Sequence, residues 1–387
     1  MWSRERIAVA AYFAVLGFVC STWASSIDDL KVLLALNEDQ LGWLLFAGPV
    51  GNLVTFTFVS SLVAKLGARR SVILSASAYI AIAFALSMCF AFKAPIPCWC
   101  VVIAAFGGAG NILNITTNAK AGLVEKHAGR SIMSSFHGVF SVTCFGGGLL
   151  ALFAAGCGVS VWARFLAVFA LVMSLHIVAL RALPADEPAD CKAAGSSGWH
   201  RPDRALFAIG LAALVIMGCE GSVFDWVGVF YREGILAPPS RVKWGYCAVA
   251  AMMAAGRFVS DRLVMRFTAR RVLHVDCVLV SLGLAIALSS PYAHLSGLSL
   301  HLVATLGYGI AGYGISALVP ILYSKANRTK SMPPASAITF VGTMGFLGYF
   351  AGPPLIGHLA KWFNLSIALG LFGVLILFCL LLDPDKD

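Results

Sequence analysis

Several polar side chains lie inside stretches far too apolar for a water-soluble core, and their types and spacing define the chemistry open to this chain. Two acids, Glu220 and Asp225, interrupt the apolar run that starts at Ala205, and Trp226, Phe230 and Tyr231 follow them. An acid in a low-dielectric interior needs a partner or a proton, so both are candidates for reversible protonation. At about 100° per residue they project roughly 140° apart, so they do not share one helix face. Glu220 is the deeper, roughly 22 Å along the helix from Arg204. Two readings stand for it: an acid that titrates as the protein works, or a fixed partner that holds two helices together.

His137 is the other candidate proton carrier, since imidazole is the side chain whose ordinary charge change falls between about pH 5 and 8. Its alternative is a structural histidine bonded to a backbone carbonyl near a helix end. Asn111, Asn114 and Asn118 recur at i, i+3 and i+7 and therefore lie along one side of a helix. Asn111 and Asn114 suit the hydroxyls of a polar solute; bonding between helices is the other use of such amides. Trp23, Trp226, Tyr308 and Tyr313 offer rings that could stack on a solute. Arg257 stands four residues before Asp261, a spacing that favours an ion pair along a helix end and a gating contact. Asp28 and Asp29 close the first apolar run, beside Lys31, and read as solvated or capping residues of a loop.

Helices that cross a membrane must position all of these. The 387 residues are 59% hydrophobic and 12% charged, with mean hydropathy +0.86, well outside soluble-domain composition. At about 20 residues per span there is room for about twelve. The apolar runs fall near 7–25, 40–64, 71–92, 97–119, 131–155 and 160–181, then 205–231, 244–265, 271–289, 296–324, 333–359 and 364–382. The stretch 184–203, rich in Pro, Ala, Gly and Ser, has a linker's composition. The expected domains are therefore 1–183 and 204–387, two six-helix bundles joined by 184–203.

The net charge of +10 is explained by topology. Most of the 28 Lys and Arg lie on connections on the N-terminal side, and the remainder are Lys31, Lys93, Arg164, Arg232, Arg241, Lys243 and Lys361. The positive-inside rule then places both termini in the cytoplasm of a multi-pass inner-membrane protein, with the bilayer and not nucleic acid as the partner of its charge. Most of the eleven cysteines sit within apolar runs, as small hydrophobes do. No histidine or cysteine set has metal spacing. No phosphate-cradling G-x-x-x-x-G-K-[ST] loop is present, so neither an enzyme nor an ATP-driven pump is expected, and no cofactor.

The two halves echo one another. SSLVAKLGARRSV, 60–72, and GRFVSDRLVMRFTARRVL, 256–273, both place an Arg pair between an even span and the next. GGAGNILN at 107–114 is answered by GYGIAGYG at 307–314, and FGGG at 145–148 by GYFAGPPLIG at 348–357. Small residues so spaced let helix backbones approach closely.

The cytoplasmic turn resembles that of the major facilitator superfamily, G-x-x-x-D-R-x-G-R-R. Lys65, Gly67 and Arg69 are in register, Ser60 and Ala64 depart from the pattern, and Asp261 with Arg262 keep its acid and base in the second half. The segments 118–141 and 219–234 are similar to those of a bacterial branch grouped with fucose-permease-like sugar porters. The resemblance implies an all-α membrane protein of twelve transmembrane helices in two pseudo-symmetric six-helix bundles, rocking about a midplane site. It also implies gating by Arg69, Arg70, Arg257 and Asp261. The expectation is a monomeric secondary transporter that takes up a small polar, sugar-like solute. Glu220, His137 and Asp225 are its proton-coupling candidates. Asn111, Asn114, His137, Glu220, Trp226, Tyr308, Tyr313 and Trp23 are its candidate substrate contacts. The rival reading is a proton-driven exporter of amphipathic compounds or metabolites.

Overall fold

The computed structural model describes residues 3–128, 132–183, 201–329 and 332–381, without the side chains of Ser134, Asp261, Pro334 and Ala335. Most of the expected linker, and Arg130, lie outside the described residues. The chain divides into two compact units, Met1–Ala35 with Leu44–Lys192, and Leu36–Trp43 with Ala193–Asp387. All regular structure among the described residues is helical.

In the first unit α1 (Arg4–Ala24) starts at a Ser3 cap, whose hydroxyl accepts from Arg6 N at 3.2 Å. It stops at Ser25 and Ser26, and a short helix, α2 (Ile27–Leu33), follows. The second expected span is broken. α3 (Glu38–Phe56) contains Pro49 and gives way at Thr57 and Phe58 to α4 (Val59–Leu66), inclined by 50°. Then come α5 (Ala68–Ala91), α6 (Ile96–Ala128), α7 (Met133–Gly156) and α8 (Val161–Ala182). α6 runs well beyond the expected end at residue 119, so Lys120 lies on a helix and is buried. Glu125 of α6 accepts from Ile132 N and Met133 N at 2.7 Å, supplying acceptors for the free amides that start α7.

The second unit contains α9 (Arg204–Val229), capped by Asp203, whose carboxylate accepts from Leu206 N at 2.8 Å. α9 ends in a wide π-turn at Phe230–Gly234. α10 (Trp244–Phe267), α11 (Ala269–Ser289), α12 (Gly297–Asn327), α13 (Pro334–Trp362) and α14 (Leu365–Phe378) complete it. Among the described residues eight helices are long and apolar enough to cross a bilayer, and the bent α3–α4 pair, taken as one span, makes a ninth. α10, α13 and α14 occupy the other three expected positions, giving the all-helical, twelve-span architecture.

The internal echo extends to backbone conformation. Gly67 joins α4 to α5 at φ 80°, ψ 161°, and Thr268 joins α10 to α11 at φ 85°, ψ 148°; Ala-Arg-Arg follows each. The first turn uses the residue suited to positive φ, and the second holds a β-branched residue in a region it seldom enters.

Candidate functional site

Arg257, Tyr349 and Tyr323 of the second unit converge on Glu220. Its Oε1 lies 3.8 Å from Arg257 Nη2 of α10, with the two side chains 14% and 32% exposed. The Tyr349 hydroxyl of α13 hydrogen-bonds the same carboxyl, and Tyr323 of α12 lies within electrostatic range of it. Four helices therefore meet at one acid. At an effective dielectric near 20, charges at this distance attract by about 4 kcal/mol before desolvation is subtracted, so the pair can be made and broken.

Glycines allow this convergence. A Cβ on Gly221 would lie 2.6 Å from Tyr349 Cε1, so the residue beside Glu220 leaves room for the tyrosine ring. On α13, a Cβ at Gly348 would overlap the Leu214 carbonyl of α9 and stand 2.9 Å from Gly218 N. The two backbones can meet only because side chains are missing there, and that close approach delivers Tyr349 to Glu220. Arg257 had been matched with Asp261, whose side chain is not described; the contact seen runs from α10 to α9 instead.

Asp225, five residues on, is half-buried and has no hydrogen-bond or ion-pair partner among the described residues. Trp226 and Tyr308 are fully enclosed. Tyr308 packs edge-on to Phe230 at 5.7 Å and near Tyr231 at 6.1 Å, so these rings form a core cluster. Trp226 Nε1 and Tyr308 Oη find no partner in it. Tyr313 is half-buried on α12.

In the first unit the amides separate. Asn111 is buried and donates to Thr55 Oγ1 at 3.0 Å and Asn52 O at 3.3 Å, tying α6 to α3. Asn118 donates to Asn114 O at 2.8 Å and Oδ1 at 2.9 Å, along the helix. Asn114 is exposed. His137 is also exposed, with its ring edge-on to Phe13 at 5.3 Å. Trp23 is buried against Phe106. Arg69 Nε donates to Leu183 O at 3.1 Å, and Arg70 is exposed. Gly147 of the triple glycine backs onto Ser21, so α7 packs closely on α1.

Asp28 and Asp29 require correction. They are not solvated loop residues: Asp28 is 1% exposed, and Asp29 Oδ2 accepts from Arg164 Nη2 of α8 at 2.6 Å. Lys31 is buried beside them. The signal was available in Arg164, a lone cation four residues into an apolar span. Asp276 of α11, 4% exposed, was also missed, as was His176, whose Nε2 lies 3.1 Å from Ser77 Oγ.

A family profile for the Major Facilitator Superfamily matches residues 7–332. The chain belongs to that superfamily. An uncharacterized MFS-type transporter of Yersinia pestis is 29% identical over 381 residues, spanning 96% of this chain and 93% of the relative. Membrane protein MosC of Rhizobium meliloti is 26% identical over 371 residues, 94% of this chain and 85% of the relative. Among solved structures, a mutant of the nucleoside transporter NupG superposes with a TM-score of 0.79 over 98% of this chain and 99% of that one, at 13% identity. The unmutated NupG gives 0.74 at 14% identity. Similarity at that level is one of fold. As a member of the Major Facilitator Superfamily the chain is a multi-pass membrane transporter and not an enzyme.

Proposed function

We propose that this transporter takes up a small polar organic solute by alternating access, using the proton gradient across the cytoplasmic membrane, with both termini inside. The observation that carries this reading is the Glu220 constellation. A part-buried acid, held loosely by one arginine and one tyrosine, can release Arg257 when it binds a proton and recapture it when the proton leaves. Such exchange gives the two arrangements that alternating access requires. The exposed Asn114 and His137 are the first-unit groups proposed to meet the solute. The resemblance to fucose-permease-like porters suggests sugars, and the fold likeness to a nucleoside transporter suggests nucleosides; both carry the hydroxyls that amides recognise.

A thermal-shift screen of the purified protein against sugars, nucleosides, organic acids and lipophilic cations tests the solute class, because a ligand that binds the folded state raises its melting temperature. Stabilisation by a hydroxylated neutral solute supports the proposal. Stabilisation by lipophilic cations alone would favour the exporter reading.

A further inference from the structure

The connection between α9 and α10 is fastened to α12 through one histidine. His301, in the second turn of α12 and 4% exposed, has both ring nitrogens engaged. Nδ1 lies 3.1 Å from Arg241 Nη1, and Nε2 lies 3.4 Å from Ile235 O. A guanidinium can only donate and a carbonyl can only accept. Nδ1 must therefore be the bare nitrogen and Nε2 must carry the hydrogen, so this arrangement exists only with a neutral ring.

The segment it fastens is held under strain. Leu236 sits at φ 49°, in the left-handed region that a leucine rarely occupies, with its side chain exposed. The π-turn at Phe230–Gly234 leads into it, and Ala237 N bonds back to Tyr231 O at 2.8 Å. Such turns and left-handed residues persist where surrounding contacts hold them. Those contacts include the Tyr231 hydroxyl on Thr305 Oγ1 at 2.7 Å, and Thr305 Oγ1 on His301 O, also at 2.7 Å. While bonded to His301, Arg241 also lies over the Trp244 ring, 5.6 Å from its centre.

Other charged or titratable groups lie on the surrounding elements. The π-turn carries Tyr231, Arg232 and Glu233, with Glu233 exposed; α9 carries Asp225. Lys243 and Tyr246 stand at the start of α10, Tyr292 and His294 are exposed between α11 and α12, and Tyr308 is on α12. Among the described residues Arg241 is the charged group that touches the ring.

We propose that His301 is a proton-binding site that latches the 235–243 connection to α12. A proton arriving at Nδ1 would set a second donor and a second positive charge against Arg241 at 3.1 Å. The guanidinium then turns away from the imidazole toward solvent, and the strained connection is released. On the proposed topology this connection faces outside, where a proton-driven importer meets its more acidic compartment. The latch is a different site from Glu220 and does not depend on its titration.

Hydrogen exchange of the full-length protein in lipid nanodiscs tests the latch, following amides 235–243 with the intrinsic pH dependence of exchange removed. In the wild type, protection should fall roughly tenfold as the medium is acidified from about pH 8 to about pH 5. His301→Gln keeps an acceptor for Arg241 and a donor for Ile235 O but cannot take a proton, so the fall should vanish. Arg241→Gln gives the protonated ring an amide oxygen to bond, and its fall should vanish as well. A wild type without a fall, or either folded variant with the wild-type fall, overturns the proposal; if one variant does not fold, the other decides.

Discussion

Glu220 of α9 and Arg257 of α10 form an ion pair at 3.8 Å, near the outer limit of such contacts. Tyr349 holds the carboxyl from a third helix. Arg257 is the more exposed partner, so in the proposed cycle it is the group that moves while Glu220 stays in the helix packing. Arg257→Gln should therefore leave the protein folded but abolish concentrative transport, because the acid loses its counter-charge in one of the two states. Gradient-driven uptake measured beside the melting temperature separates this loss from unfolding.

Asp29 and Arg164 form a buried ion pair in the first unit, at 2.6 Å. Arg164 Nε and Nη1 have no acceptor, so Asp29 supplies the counter-charge seen for that guanidinium. Asp29→Asn alone should cost about 3–5 kcal/mol, since it leaves the buried Arg164 guanidinium without this counter-charge, and Arg164→Gln should also destabilise. The double variant should cost less than the sum of the singles, a coupling that a double-mutant cycle of unfolding free energies would measure.

Gly348 lies where α13 crosses the Leu214 carbonyl of α9. Gly348→Ala forces these backbones apart, at about 1–3 kcal/mol for overpacking. It should also weaken solute binding, because Tyr349 is carried by the next residue. Melting temperature and solute affinity falling together is the expected pattern; a stable variant with unchanged affinity would show that the close approach is not needed.

Thr268 occupies φ 85° at the turn where the first unit has Gly67. Thr268→Gly removes that strain, at the loss of a long cap from Arg271 N at 3.4 Å. Relief of a left-handed β-branched residue outweighs a weak cap, so the variant should be stabilised by about 1 kcal/mol, readable as a higher midpoint of denaturation.

The spans were legible in the sequence because a bilayer imposes a length and an apolarity that each helix must meet on its own. Side-chain partnerships were less legible, because they depend on distant segments. Asp28 and Asp29 read as loop residues beside Lys31; they became buried when a second short helix formed after Ser25–Ser26 and brought Asp29 to Arg164, 135 positions away. The i, i+3, i+7 spacing placed Asn111, Asn114 and Asn118 on one side of α6. Yet 60° separates i from i+3, enough to bury Asn111 against Thr55 while Asn114 stays exposed. Trp226 and Tyr308 offer rings suited to stacking on a solute, but ring type alone does not distinguish a side chain that lines a path from one that fills a core. Glu220 was legible as a buried acid. Its partners, Arg257 and Tyr349, follow from helix packing, for which only the glycine tracts gave a sign.

The central claim is that Glu220 couples solute movement to protons. Glu220→Gln retains the size of the side chain and an acceptor for Tyr349 but carries no charge. In proteoliposomes loaded with the solute that the thermal-shift screen selects, the wild type should concentrate it against its gradient when an inward proton gradient is imposed. Glu220→Gln should exchange the solute at equilibrium and fail to concentrate it at any imposed pH difference. Concentration by Glu220→Gln equal to that of the wild type would contradict the account.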